Sequence, residues 1–203
     1  MMRGTPWMIG KLNVLGIVVI VLLLVAVTSP PCASGADDAK KKEAARADIV
    51  KMSDATLSRL YQTQPKAKTA IANAAGYAVF SNFGMKILVT GGGSGKGVAV
   101  NNATKKKTYM KMMEVQAGLG IGVKKFRLVW VFEKQKDLDA FVNSGWELGG
   151  QTSAAAQAGG QGAAFAGAMS VAPGVWLYQL TDDGLALELT AKGTKYYKDG
   201  DLN

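Results

Sequence analysis

An α+β fold is predicted for this chain: a compact antiparallel, barrel-like β-sheet domain with helices at its N-terminal side and one further short helix. Three features of the sequence predict it. Residues 37–64, DDAKKKEAARADIVKMSDATLSRLYQTQ, place Ile49, Ser53, Leu57, Leu60 and Tyr61 on one helical stripe with a charged far side. From Gly76 onward the pattern changes to runs of alternating and apolar residues separated by Gly, Asn, Asp and Lys clusters. Between two such stretches stands KQKDLDAFVN, residues 134–143, whose Leu138, Phe141 and Val142 suit a short helix closed by Ser144-Gly145.

Taken in order, the chain opens on a leader. Arg3 and Lys11 precede an apolar run from Val14 to Val27, and small residues follow at Ala33-Ser34-Gly35-Ala36. This is the pattern of a secretory signal peptide over residues 1–36, with residues 37–203 as the folded domain. The run of roughly 14 residues is shorter than the ~20 a spanning helix needs. Cys32 is the single cysteine, and its place after the run makes it a candidate lipidation site, although Ser29-Pro30-Pro31 before it is unlike a lipoprotein box. An exported protein is expected, in the periplasm or membrane-associated in the envelope, as a lipoprotein if Cys32 is modified. Without residues 1–36 the formal charge falls from +9 to +7, because only Arg3 and Lys11 are lost. That balance favours anionic partners, an acidic phospholipid or polyanionic surface glycolipid rather than nucleic acid, or serves solubility alone.

Asp37 and Asp38 suit the start of the first helix, and Lys40-Lys41-Lys42 either wet its first turns or touch a membrane. Pro65 restarts a short helix through Ile71 that Gly76 closes. GYAVF and MKILVT then read as strands leading into Gly91-Gly92-Gly93-Ser94-Gly95-Lys96-Gly97, a flexible β-connection. A nucleotide loop is excluded there: Thr90 stands where a Walker loop has glycine, Gly97 follows the lysine instead of Ser or Thr, and the next segment is a strand that offers no helix N-terminus. Asn101 to Lys107 is a polar turn.

Met112 to Glu133 is expected to be the central hairpin. With Lys124-Lys125 as a two-residue turn, Val123 faces Phe126, Ile121 faces Leu128, Leu119 faces Trp130 and Ala117 faces Phe132, giving one apolar surface. The opposite surface sets Gly118, Gly120 and Gly122 against Val131, Val129 and Arg127, a groove without side chains where a neighbour or ligand could approach closely. Residues 146–168 drift into Ala, Gly and Gln, as small-residue strands or an ordered loop. Gly174 to Thr190 reads as a second hairpin turning at Asp183-Gly184, with Trp176, Tyr178 and Leu180 opposite Ala191, Leu189 and Leu187, and Gln179 opposite Glu188.

Catalysis is not expected. The chain has no histidine, Asp137 and Asp139 are too closely spaced to share a helix face, and Asp182-Asp183 is turn chemistry rather than a metal site. No cofactor and no metal are implied. The candidate lipid-binding residues are Lys105, Lys106 and Lys107 at one turn and Lys124, Lys125 and Arg127 at the other, which form a basic rim if the two tips share one end of the sheet.

GYAVFSNF, GGGSGKGVAV, VQAGLGIGVKKFRLVWVF, the DLDAF helix and GWELGG, in that order, resemble the SYLF-domain family over roughly Ile49 to Thr190, with Ser81 where the pattern commonly has proline. The resemblance implies an antiparallel β domain with helices at its start, phospholipid binding (phosphoinositides in eukaryotic members), actin binding in some of those, and export in bacterial ones. The expected function is therefore non-catalytic binding of anionic phospholipid at an envelope membrane surface. The alternative is a structural or interaction protein of the envelope that packs on a protein partner.

Overall fold

The computed structural model describes residues 34–87, 90–117, 122–148, 163–181, 184–186 and 193–203. Residues 1–33 of the expected leader, Cys32 among them, lie outside them, as do Gly118, Gly120, and Leu119 and Ile121 of the expected hairpin. The chain divides into two units, Met1–Lys40 and Lys41–Asn203. Of the first, only residues 34–40 are described, in the opening turns of a helix.

That helix, α1 (Ser34–Thr63), is followed by α2 (Pro65–Asn73), with Pro65 at its first turn where a missing N–H costs nothing. Strands β1 (Gly76–Ile87), β2 (Thr90–Asn101), β3 (Lys107–Ala117) and β4 (Gly122–Phe132) come next, then helix α3 (Gln135–Ser144). Five short strands complete the chain: β5 (Trp146–Leu148), β6 (Met169–Ala172), β7 (Val175–Thr181), β8 (Gly184–Ala186) and β9 (Thr194–Lys198). All nine lie in one antiparallel sheet of order β5-β9-β3-β2-β1-β4-β7-β6, with β8 also on β7. The α+β class and the antiparallel sheet are as expected.

The sheet is covered on both sides. On one face, Phe80, Met110, Met112, Leu128, Trp130, Phe132 and Tyr196 pack with Leu138 and Phe141 of α3. On the other, Leu57 and Leu60 of α1 and Ala67, Ala70 and Ile71 of α2 pack on Val79, Val129, Val131 and Tyr178. Beyond them Ile49 meets Val98, Val100 and Leu202, so the last turns of the chain are pinned under the helix.

Three expectations are corrected here. The central hairpin does not form: β3 pairs with β2 and β9, and β4 with β1 and β7, so two strands stand between its two halves. Lys124 and Lys125 lie inside β4, opposite Gly84 and Phe83, rather than at a turn, and Gly122 stands opposite Lys86. The parity was nonetheless sound, because Phe126, Leu128, Trp130 and Phe132 are all buried on one face. Alternation fixes which face a residue takes and leaves the neighbouring strand open. Val129 and Val131 are buried too, against α2 and β7 rather than a glycine floor, as befits a strand at the centre of a sheet covered on both faces.

The glycine run is likewise no loose connection. β2 pairs with β1 without interruption from Ile87↔Thr90 to Gly76↔Asn101, and with β3 from Thr90↔Ala117 to Val100↔Lys107. Gly95 and Gly97 fall on the face of Phe80 and Met112, whose side chains occupy the space a Cβ would need. Across Gly93 and Gly95 the buried Asn82 of β1 donates to the buried carboxylate of Glu114 on β3. The second hairpin forms with a register two residues tighter than expected, since Gln179 pairs with Ala186 and Leu180 with Leu185.

Candidate functional site: a cationic row beside an apolar groove

The pairing registers align one lateral row of residues across five strands: Arg127 opposite Ser81, Ser81 opposite Lys96, Lys96 opposite Lys111, and Lys111 opposite Tyr197. The row lies on the α1 side, next to the apolar rows that the helices bury. Lys96 and Lys111 face each other directly, an arrangement that like charges disfavour.

Lys111 is relieved by the C-terminal tail. Its ammonium sits 2.9 Å from the Asp199 carboxylate and 2.9 Å from that of Asp201. Asp199 is buried and also accepts from the backbone N–H of Asp201 at 3.0 Å, which fixes the tail in place. Hydrogen bonds to the two carboxylates hold the Lys111 amine well above its ordinary range, and the hydrogen bond from Lys111 holds the exposed Asp201 carboxyl below its own. The Asp201 contribution to stability is therefore present above about pH 4 and is lost as pH falls through its lowered value; that of Lys111 persists until strongly alkaline pH. Lys111→Gln leaves Asp199 buried beside no cation and is expected to cost about 1–2 kcal/mol at neutral pH. Chemical denaturation of parent and variant at pH 7 and pH 3 measures this, and the gap between them should narrow at the lower pH.

Lys96 and Arg127 have no such carboxylates among the described residues. Lys96 is exposed. Arg127 is half-buried and donates to the Thr56 hydroxyl at 3.0 Å, which itself donates to the carbonyl of Met52 at 2.8 Å. Beside this row a groove of about 610 Å³ opens between α1 and strands β1, β2, β3 and β9. Ile49 and Met52 line it from the helix, Met113 and Tyr197 from the sheet, and Ser81, Ser94 and Lys96 give it a polar side. Asp48 of α1 adds one carboxylate. Met113 is 52% exposed at this groove, opposite Ser94.

Of the residues expected from sequence, Arg127 belongs to this row. Lys105, Lys106 and Lys107 are exposed at the β2–β3 turn, which Asn101 shapes by accepting from the N–H groups of Ala103 and Thr104 at 2.9 Å each. Lys105 takes a left-handed φ of 59° there. The two lysine clusters do not meet. The turn adjoins Asn101 and hence Gly76 on β1, whereas Lys124 stands opposite Gly84, eight residues or about 26 Å along the strand. The basic rim is thus replaced by a lateral row whose members Ser81, Lys96 and Lys111 were passed over. Lys96 was visible only as a failed nucleotide-loop lysine, and only the pairing registers bring it level with Arg127. Among the described residues no three Asp, Glu, His or Cys side chains are grouped to hold a metal.

The family described as Ysc84, Las17-binding protein actin regulator, matches residues 113–203. Beta cell expansion factor A of Aeromonas veronii is 38% identical over 160 residues, which is 78% of this chain and 59% of that protein. The chain thus spans about three fifths of the length of that relative. The SYLF family is known for binding lipid and actin or other protein, not for catalysis. The matched segment holds β4 with Arg127 and Trp130, helix α3, and the tail that grips Lys111. Residues 113–203 thus match the Ysc84 family, the SYLF domains that the sequence resembles.

Proposed function

We propose that the protein is a non-catalytic module that binds anionic phospholipid at an envelope membrane surface after export. The observation that carries this reading is the row Arg127-Ser81-Lys96, two cations that form no ion pair with a carboxylate among the described residues, next to an apolar groove. The exposed lysines at 105–107 add a second, separate contact with an anionic surface. Each contributes about 1 kcal/mol near such a surface, so together they raise the affinity roughly a hundredfold at low salt.

Sedimentation with vesicles of phosphatidylcholine alone or with phosphatidylglycerol tests the reading. Binding is expected only to the acidic vesicles, and to fade as the Debye length shrinks from ~10 Å at 0.1 M salt to ~3 Å at 1 M. The triple variant Lys105→Gln, Lys106→Gln, Lys107→Gln should lose about a hundredfold and Lys96→Gln roughly fivefold, following their shares of surface charge. Equal binding to both vesicle types would overturn the electrostatic reading. Binding to neither would move the function to a protein partner in the envelope.

A further inference from the structure

We infer that the groove beneath α1 takes the hydrocarbon chain of a single anionic amphiphile, with its charged end at Lys96, so that the protein holds one lipid-like molecule as well as touching a membrane. The inference rests on the lipid-binding reading above and assigns it a ligand class. The volume of about 610 Å³ is that of a small-molecule site, within the usual range of about 300–1,000 Å³.

The lining has the chemistry of a chain site. Met52 and Met113 face it from opposite walls, and Ile49 and Tyr197 extend the apolar surface. Methionine is unbranched and polarisable, so its side chain can follow a flexible hydrocarbon where a branched residue would leave voids. Met113 is 52% exposed, the one large apolar side chain so exposed among the described residues. An occupant of the groove would cover it.

Three of the polar groups sit at one side. Ser81, Ser94 and Lys96 supply two hydroxyls and an ammonium, and Arg127 stands in register next to Ser81. Lys111 lines the groove as well, but Asp199 and Asp201 already hold its charge. Asp48, on the helix wall, repels an anion. The anionic end therefore belongs at the β1–β2 side, against Lys96, with the chain running between Met52 and Met113.

Titration calorimetry of the whole protein with octanoyl, decanoyl and dodecanoyl lysophosphatidate, each below its micelle concentration, tests this. One molecule should bind per protein, and each buried methylene should tighten binding about fourfold until the groove is filled. Inorganic phosphate and glycerol 3-phosphate should bind far more weakly, and lysophosphatidylcholine of equal chain length should lose affinity because its charge is balanced. Met113→Glu, at an exposed position, should abolish monomer binding while Met113→Leu keeps it, and both should keep the binding to acidic vesicles that the lysines at 105–107 support. Affinity independent of chain length, or equal for inorganic phosphate, would overturn the inference. Vesicle binding without monomer binding would overturn it and leave the surface reading standing; loss of both in the parent protein would sink the two together.

Discussion

Trp130→Ala is expected to destabilise the protein by about 3–5 kcal/mol, the cost of emptying a large aromatic site in a packed core. Trp130 has no exposed surface. Its ring lies 5.0 Å from that of Tyr196, 5.3 Å from Phe141, 6.0 Å from Trp146 and 6.3 Å from Phe132. These partners come from β9, α3, β5 and β4, so one side chain ties the far edge of the sheet to its centre through the helix. Aromatic pairs at these separations add to the area they bury. For a chain of this size the melting temperature should fall by about 10 °C. Thermal and chemical denaturation read the effect, and a melting point within a degree or two of the parent would show that the aromatic cluster does not carry this face.

How far the sequence disclosed this arrangement depends on the distance over which the relevant signal acts. The first helix was legible because its stripe is local: Ile49, Ser53, Leu57 and Leu60 are buried as their spacing requires. The faces of β4 were legible because side chains alternate with period two, whichever strand lies alongside. The neighbour of β4 was not legible. Apolar alternation on both sides of Lys124-Lys125 suits a hairpin, yet β1 offers Val79 and Phe80 as partners that bury both faces of β4 at once. Two adjacent lysines also lack the residues that favour a two-residue turn, and the structure sides with that local objection.

The site was less legible still, for the same reason. Arg127, Ser81, Lys96 and Lys111 lie on four different strands and become a row only when three registers are known. The turn lysines at 105–107 needed no register, because a polar run between strands announces itself. Charge clusters that are local in sequence are found this way, and charge clusters made by pairing are not. The tail residues Asp199 and Asp201, whose carboxylates quiet Lys111, belong to the second kind.

Gly97→Ala is expected to cost about 3 kcal/mol, whereas Gly92→Ala, five residues away in the same run, should be neutral or stabilise by up to about 1 kcal/mol. The contrast separates a packed strand from a flexible connection. A Cβ at Gly97 would fall 2.4 Å from both Cδ1 of Phe80 and the carbonyl oxygen of Val79. Neither can retreat easily: Phe80 is held edge-on against Tyr196 at 5.0 Å, and the carbonyl belongs to the backbone of a central strand. At Gly92 the nearest atom, the carbonyl oxygen of Glu114, is 3.6 Å away, an ordinary contact, and alanine there restricts the unfolded chain without straining the folded one. Were the run merely a linker, both substitutions would act alike and weakly. Denaturation midpoints of the two variants decide the matter, and equal midpoints would refute the packing role assigned to the inward glycines. Because Gly97 pairs with Phe80 on one side and Met110 on the other, while the adjacent Lys96 points to the α1 side, Gly97→Ala should also disturb the cationic row. It is therefore expected to weaken binding to acidic vesicles in proportion to the fraction of protein it unfolds, a loss that Gly92→Ala should not share.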